Sequence, residues 1–396
     1  MSDGTHVPAP DLGRLQRAAL IAGLVGAALC LLGVLLNPEQ FFRAYLVAYV
    51  AWWSVAVGCL GWATIYQLTG GMWGFTARPF FEAGTATLPL VALLFVPIGF
   101  GLDYIYVWTR PDVFEGLHHT ENREVYLSEW FFLVRAAIYF GIWMLFGFYM
   151  TRPSRREGPR SELLEGRSGI AAAALLAIAL TVTFAGTDWL MTLNPYWYST
   201  IYGGMIAIAG LYAAMALTIS TVGRFYGHIA PHRGTAGPQV LNDLGNLQLA
   251  FIMLWTYFQL SQFLIIWSGN LPEEAVWYLQ RNQNGWYWMA FLLVALHFAV
   301  PFALLLSRDL KRVPRFLQWI GVFLLVMHYF DMHWQIVPTW HDTLTLNWQH
   351  VTTLAAVGGL WLWMYAWQLG RRPWTVLPVE EPHYNPETQA HGEFGT

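Results

Sequence analysis

The chain has 396 residues, 56% of them apolar, and its 21 basic and 24 acidic side chains make up only 11% of it, against about 25% in soluble domains. These values exclude a soluble globule, a disordered chain and a collagen-like repeat, and two cysteines exclude a secreted disulfide scaffold. The formal net charge of -3 excludes little by itself, but the placement of the charges is informative.

Apolar runs bounded by Pro, Gly and charge clusters predict ten membrane helices, at about 14–36, 42–68, 80–103, 127–150, 169–191, 199–222, 243–268, 284–307, 314–337 and 349–370. The expected fold is an all-α polytopic membrane protein. Arg14 and Arg17 ahead of the first run imitate the start of a signal peptide, but the run is longer than a typical h-region and no A-x-A site follows, so it is read as a retained helix. Residues 151–167 form a charged linker, and the tail 373–396 is rich in Pro and Glu, which favours an extended or disordered segment.

An even number of spans puts both termini on one side. Sixteen basic residues then fall on that side: Arg14, Arg17, Arg78, the five arginines from Arg152 to Arg167, Arg224, Arg233, the four cations from Arg308 to Arg315, Arg371 and Arg372. Four, Arg43, Arg110, Arg123 and Arg281, fall on the other, and Arg135 lies within a span. The positive-inside rule makes both termini cytoplasmic. On the outer side Glu39, Asp103, Asp112, Glu115, Glu121, Glu124, Glu273, Glu274 and Asp342 outnumber the four arginines. Such a field steers a basic soluble partner such as a cytochrome, although outer loops poor in Lys and Arg would look the same.

Some chemistry is missing. Cys30 and Cys59 stand singly in the first two spans, so the chain holds no motif for an iron–sulfur cluster or covalent haem, and no Gly-rich phosphate loop is present. For haem b, His297 and His328 would lie at depths differing by about 6 Å, a poor match for a shared axis. No nucleic-acid partner is expected.

Other chemistry is present, because ionisable groups inside a bilayer are costly and functional by default. Arg135 on the fourth span, Asp188 on the fifth, and His328 with Asp331 on the ninth share a layer about 5 to 14 Å from the outer edge, and are expected to converge on one polar cavity. His328, Asp331 and Gln335 lie on one helix face, with His333 turned away, a stripe suited to a proton relay. The alternative is a structural ion pair between Arg135 and one Asp. On the seventh span Gln248, Trp255, Gln259 and Gln262 share a face, fit either for a water file or for interhelical hydrogen bonds. Glu82, Asp243 and Gln67, toward the inner surface, form the mouth of an inward half-channel or are solvated helix ends. In GTDWLMTLNPYWYSTIYGG (Gly186 to Gly204), Asn194-Pro195 ends one helix and Ser199 is placed to cap the next. Asp188, Trp189, Trp197 and Tyr198 in this segment have the polar and aromatic character of a quinone headgroup site.

That segment, with QFLIIWSGNLPEEAVWYLQR (Gln262 to Arg281) and HFAVPFALLLSRDLKR (His297 to Arg312), resembles one of the two integral membrane subunits of the bacterial alternative complex III, which are of the NrfD type and polysulfide-reductase-like. The likeness covers about 14–372. It implies two four-helix bundles, 42–191 and 199–337, flanked by the first and last spans. The setting it implies is a quinol:cytochrome c (or cupredoxin) oxidoreductase of a respiratory or photosynthetic chain in the bacterial inner membrane. A quinone such as menaquinone would be the small redox partner. Multihaem and monohaem cytochrome c subunits, an iron–sulfur subunit, a sister NrfD-like subunit, membrane lipids and a terminal oxidase would be its neighbours, with haem and clusters held by those partners. The resemblance carries Asp188 over as a quinol-contact or proton-path residue. No histidine lies between Arg135 and His228, so the imidazole acceptor that quinol oxidation needs is missing from spans four to six. Two other classes remain: a stand-alone proton- or solute-coupled transporter, which predicts paired broken helices at mid-membrane, and a purely structural subunit.

Overall fold

The computed structural model describes residues 6–7, 10–110, 125–151, 168–229, 236–372 and 374–375. Among them nine helices are long and apolar enough to cross a bilayer. They are α1 (Gly13–Leu36), α2 (Pro38–Thr69), α3 (Met72–Phe100), α4 (Glu129–Thr151), α5 (Ser168–Trp189), α6 (Tyr202–Arg224), α7 (Ala236–Gly269), α8 (Trp286–Leu306) and α9 (Pro314–Ile336). The next helix, α10 (Trp348–Gly370), has 23 residues and no Asp, Glu, Lys or Arg, enough for about 34 Å. Its Gln, His and Thr residues lower its hydropathy. That α10 also crosses follows from the chain ends: His6–Val7 pairs antiparallel with Trp374–Thr375, so both termini meet and the crossings are even in number.

Several boundaries differ from expectation. Helix α2 starts at Pro38, where Asn37 accepts a hydrogen bond from the Gln40 amide. Helix α3 starts at Met72, eight residues early, because Arg78 looks like a loop cation in sequence yet is half-buried and paired with the buried Glu82. It has a two-residue turn at Ala86–Thr87 between Met72–Thr85 and Leu88–Phe100. Helix α6 starts at Tyr202 without a side-chain cap, which corrects the expectation for Ser199; that hydroxyl donates instead to Gln262 Oε1 at 2.7 Å.

Helices α2 and α6 form the centre. Their residues are apolar and buried on nearly all sides, as expected of core helices. Helix α2 packs on α3, α4 and α5, α6 packs on α7 and α9, and α1 lies along α10 with both against α2. The two central helices touch through glycine: a Cβ on Gly58 would stand 2.1 Å from the Gly210 carbonyl oxygen. On the face opposite the paired chain ends, a short helix, Pro272–Arg281, ends in an arginine that is buried, unlike a loop cation. Arg281 donates from Nη2 to the Gln335 carbonyl at 2.6 Å and from Nε to the Trp334 carbonyl at 3.2 Å, satisfying carbonyls that the end of α9 leaves open. Asp112, Glu115, Glu121, Glu124 and Arg123, the linker beyond Thr151, and the tail beyond Thr375 lie outside the described residues.

Candidate functional site

The buried ionisable groups form two clusters. In the first, α4 presents Arg135 and Tyr139 one turn apart to Asp188 near the end of α5. Arg135 Nε and the Tyr139 hydroxyl both donate to Asp188 Oδ2 at 2.7 Å, and the Tyr126 hydroxyl donates to Oδ1 at 2.7 Å. Arg135 Nη1 also donates to the Tyr126 carbonyl at 2.8 Å, and its guanidinium lies 3.9 Å from the Tyr126 ring centre. Asp188, fully buried, thus accepts from three side chains, one of them cationic. This is a hydrogen-bonded buried ion pair, the alternative that the sequence left open.

The aromatic residues of the turn do not gather around that carboxylate. Trp189 is buried among Trp53 at 4.8 Å, Phe95 at 4.8 Å and Phe140 at 5.8 Å. Trp197 stacks on Trp277 at 5.3 Å and donates to the Glu274 carbonyl, whereas Tyr198 is 56% exposed. With Asp188 engaged by protein donors and the three rings facing different surroundings, this turn offers a quinone headgroup no shared lining.

The second cluster lies between α2, α6, α7, α8 and α9. Trp255 Nε1 donates to Asp331 Oδ2 at 2.9 Å, and the Trp255 ring lies 4.4 Å from that of His297. His297 stacks on Tyr212 at 4.5 Å and 20°. It sits in a π-helical stretch, Leu293–Ala299, a feature common at functional sites. Four residues on, Pro301 lacks the N–H that would bond the His297 carbonyl; the Tyr212 hydroxyl donates to it instead, at 3.1 Å. His328 Nε2 lies 2.9 Å from the Ser54 hydroxyl, which itself donates to the Ala51 carbonyl. With that hydroxyl proton so committed, Nε2–H of His328 is the donor. Both ring nitrogens of His297, Nδ1 of His328 and both amide atoms of Gln248 are buried without a protein partner. Buried polar atoms in native proteins nearly always have one, so this cluster is suited to bound water or a polar ligand.

The groups expected to converge therefore form two clusters, with α2 between them. Its consecutive residues Trp53 and Ser54 reach different neighbours, the first Trp189 and the second His328. Asp188 and Arg135 stay on one side, His328 and Asp331 on the other. His333 turns away as expected, its Nε2 3.1 Å from the Thr345 carbonyl.

On α7, Gln248, Trp255 and Gln262 are buried on one face with Gln259 half-buried among them. Gln262 accepts from Ser199, an interhelical bond, while Gln248 has no protein partner. Glu82 is neither a solvated helix end nor a channel mouth shared with Asp243. It is buried, taking Arg78 Nε on Oε1 and Arg372 Nη1 on Oε2, each at 2.6 Å. Asp243 is half-buried and accepts from Gln239 at 3.0 Å; Gln67 is buried on α2. Sequence reasoning missed Tyr126, Tyr139, Ser54, Tyr212 and the part of His297 outside haem binding. Two signals were available: Tyr139 stands four residues after Arg135, and Pro301 four after His297.

No protein-family model matches the chain, and no curated protein matches it.

Proposed function

We propose that this chain is a membrane subunit of a quinol:cytochrome c (or cupredoxin) oxidoreductase, set in a bacterial inner membrane with both termini cytoplasmic. In this role it carries no redox centre, and it contributes a scaffold and a proton route through the second cluster. The observation that supports the route is the fully buried Asp331, held on one oxygen by Trp255, on the same helix face as His328 and beside the unpartnered nitrogens of His297. A carboxylate and imidazoles so arranged can hand on a proton, with Gln248 ordering water on the inner side. Trp255 fixes the carboxylate, and the Tyr212 stack fixes the His297 ring. The resemblance to the alternative complex III membrane subunits supports the oxidoreductase setting and the quinone, haem-bearing and iron–sulfur partners.

Purification in mild detergent tests this reading. The expected result is co-migration with c-type cytochromes and an iron–sulfur protein, a visible haem spectrum arising from those partners, and extractable quinone. A lone species that transports a solute overturns it in favour of the carrier. The two irregular spans, α3 with its turn at Ala86–Thr87 and α8 with its π stretch, are the second helix of one four-helix set and the third of the other. They therefore lack the matched positions that a repeat-built carrier predicts.

A further inference from the structure

Between α8 and α9 the chain reads Arg308-Asp309-Leu310-Lys311-Arg312-Val313-Pro314-Arg315. Two neighbouring helices close in on this corner. The Lys311 stem lies across Gly245 of α7, its Cγ and Cδ 2.8 Å from where a Cβ would stand, and its ammonium donates to Asn246 Oδ1. Gly223 of α6 is pressed against the Pro314 carbonyl and the Gln318 amide, which sets Arg224 beside the same corner. Among the described residues none of Arg224, Arg308, Lys311, Arg312 or Arg315 is in an ion pair. The acids at hand are the exposed Asp309 and the half-buried Asp243. Burial, and to a smaller degree the neighbouring Arg308, push the Lys311 ammonium below its ordinary value.

Two features set this corner apart from an ordinary basic loop. Arg312 is half-buried, its Nε is shielded from solvent without a protein acceptor, and its guanidinium is in no ion pair among the described residues, so an anion at its accessible edge would offset an unsatisfied charge. From Arg315 a stripe of exposed residues, Trp319, Val322 and Val326, runs along one face of α9 toward the membrane interior. Trp319 is 66% exposed, directly beneath the charges, where an interfacial ring sits at headgroup level.

We propose that this corner is a binding site for an anionic phospholipid, whose phosphate is held by Arg312 and Arg315 and whose acyl chain lies along Trp319, Val322 and Val326. The apolar stripe selects a lipid over free phosphate, and the unpaired cations select an anionic headgroup over a zwitterionic one. This assignment is independent of the electron-transfer role.

The test is thermal unfolding of the delipidated protein, together with whatever subunits co-purify, in detergent micelles doped with phosphatidylglycerol, with phosphatidylcholine, or with inorganic phosphate alone. Phosphatidylglycerol is expected to raise the midpoint saturably, and the other two to leave it unchanged. The double substitution Arg312→Gln with Arg315→Gln should weaken the phosphatidylglycerol response by about thirtyfold in lipid concentration. If that variant does not fold, Trp319→Ser, on the lipid-facing side, must also weaken the response. Equal stabilisation by phosphatidylcholine, a matching effect of inorganic phosphate, or an unaltered response in the variants overturns the proposal.

Discussion

Arg135 and Asp188, 53 residues apart in sequence, meet inside the first helix group at 2.7 Å, and the same carboxylate is held by the hydroxyls of Tyr126 and Tyr139. The three donors join α4, α5 and the residues preceding α4 at one oxygen pair. Removing the cation leaves a buried anion. Arg135→Gln is expected to cost about 3–5 kcal/mol, seen as a lowered melting temperature and poor membrane yield. Arg135→Gln with Asp188→Asn should recover most of that loss, because neither charge then remains. Equal melting of the single and double variants would rule out the ion pair as the source of the loss.

Asp331 tests the proton route. Its partner is the neutral indole of Trp255 at 2.9 Å, so an amide at this position keeps the accepted hydrogen bond and loses only the titrating proton. Asp331→Asn should leave assembly intact and slow quinol-linked turnover or abolish its coupled proton movement. Normal turnover and proton stoichiometry at normal yield would eliminate Asp331 from the route. His297→Phe, which keeps the stack on Tyr212 and removes both nitrogens, is expected to act in the same direction.

Glu82 lies between two guanidinium groups, on α3 and just after α10, at 2.6 Å from each. Glu82→Ala removes the anion that the half-buried Arg78 and the buried Arg372 share. A loss of about 3–5 kcal/mol is expected, together with faster proteolysis at the end of α10, the element that Arg372 ties down. Unchanged protease resistance would show that this clasp does not hold the C-terminal end in place.

Gly58 sets the distance between the central helices. A methyl group there would meet the Gly210 carbonyl oxygen at 2.1 Å, and backbone cannot rotate aside as a side chain can. Gly58→Ala should destabilise the protein by about 1–3 kcal/mol or more through overpacking. Gly141→Ala is the control: nothing stands within 4 Å of its added Cβ, and the gain in helix propensity should make it neutral or slightly stabilising. Similar melting shifts in both variants would remove the close approach as the cause.

His341, in the loop before α10, is held below its ordinary value by burial and then by the Arg43 charge, against the smaller pull of Glu39 and Asp342. Its carbonyl accepts from the Trp286 indole at 3.0 Å. As pH falls below about 6.5, the unfolded chain takes up a proton at this site that the folded loop resists, so loop stability declines with acidification. Protection of the Trp286 indole N–H against hydrogen exchange, taken relative to the intrinsic exchange rate at each pH, should fall between about pH 6.5 and 5, and His341→Asn should flatten that dependence. A fall of the same size in the variant would assign it to another group.

Sequence alone determined the membrane architecture, because a run of apolar residues long enough to cross a bilayer is a local property. It also gave the expectation of depth: at a fixed rise per residue, Arg135, Asp188, His328 and Asp331 are read to lie at similar depth. The face periodicity of Gln248, Trp255 and Gln262 on α7 was equally legible, since a single helix fixes it. What the sequence did not contain is the rotation of each helix against its neighbours. That depends on contacts between distant segments, such as Gly58 on Gly210 and Gly223 on Pro314. Tertiary packing decided that α2 would stand between Asp188 and Asp331 and divide the expected cluster into two. It also decided that Glu82 would find Arg372, 290 residues away, and that Arg281 would leave the loop field to clamp the end of α9. Residues at equal depth meet only if their helices face one another, and the facing is settled by how side chains and glycines interlock across the whole bundle.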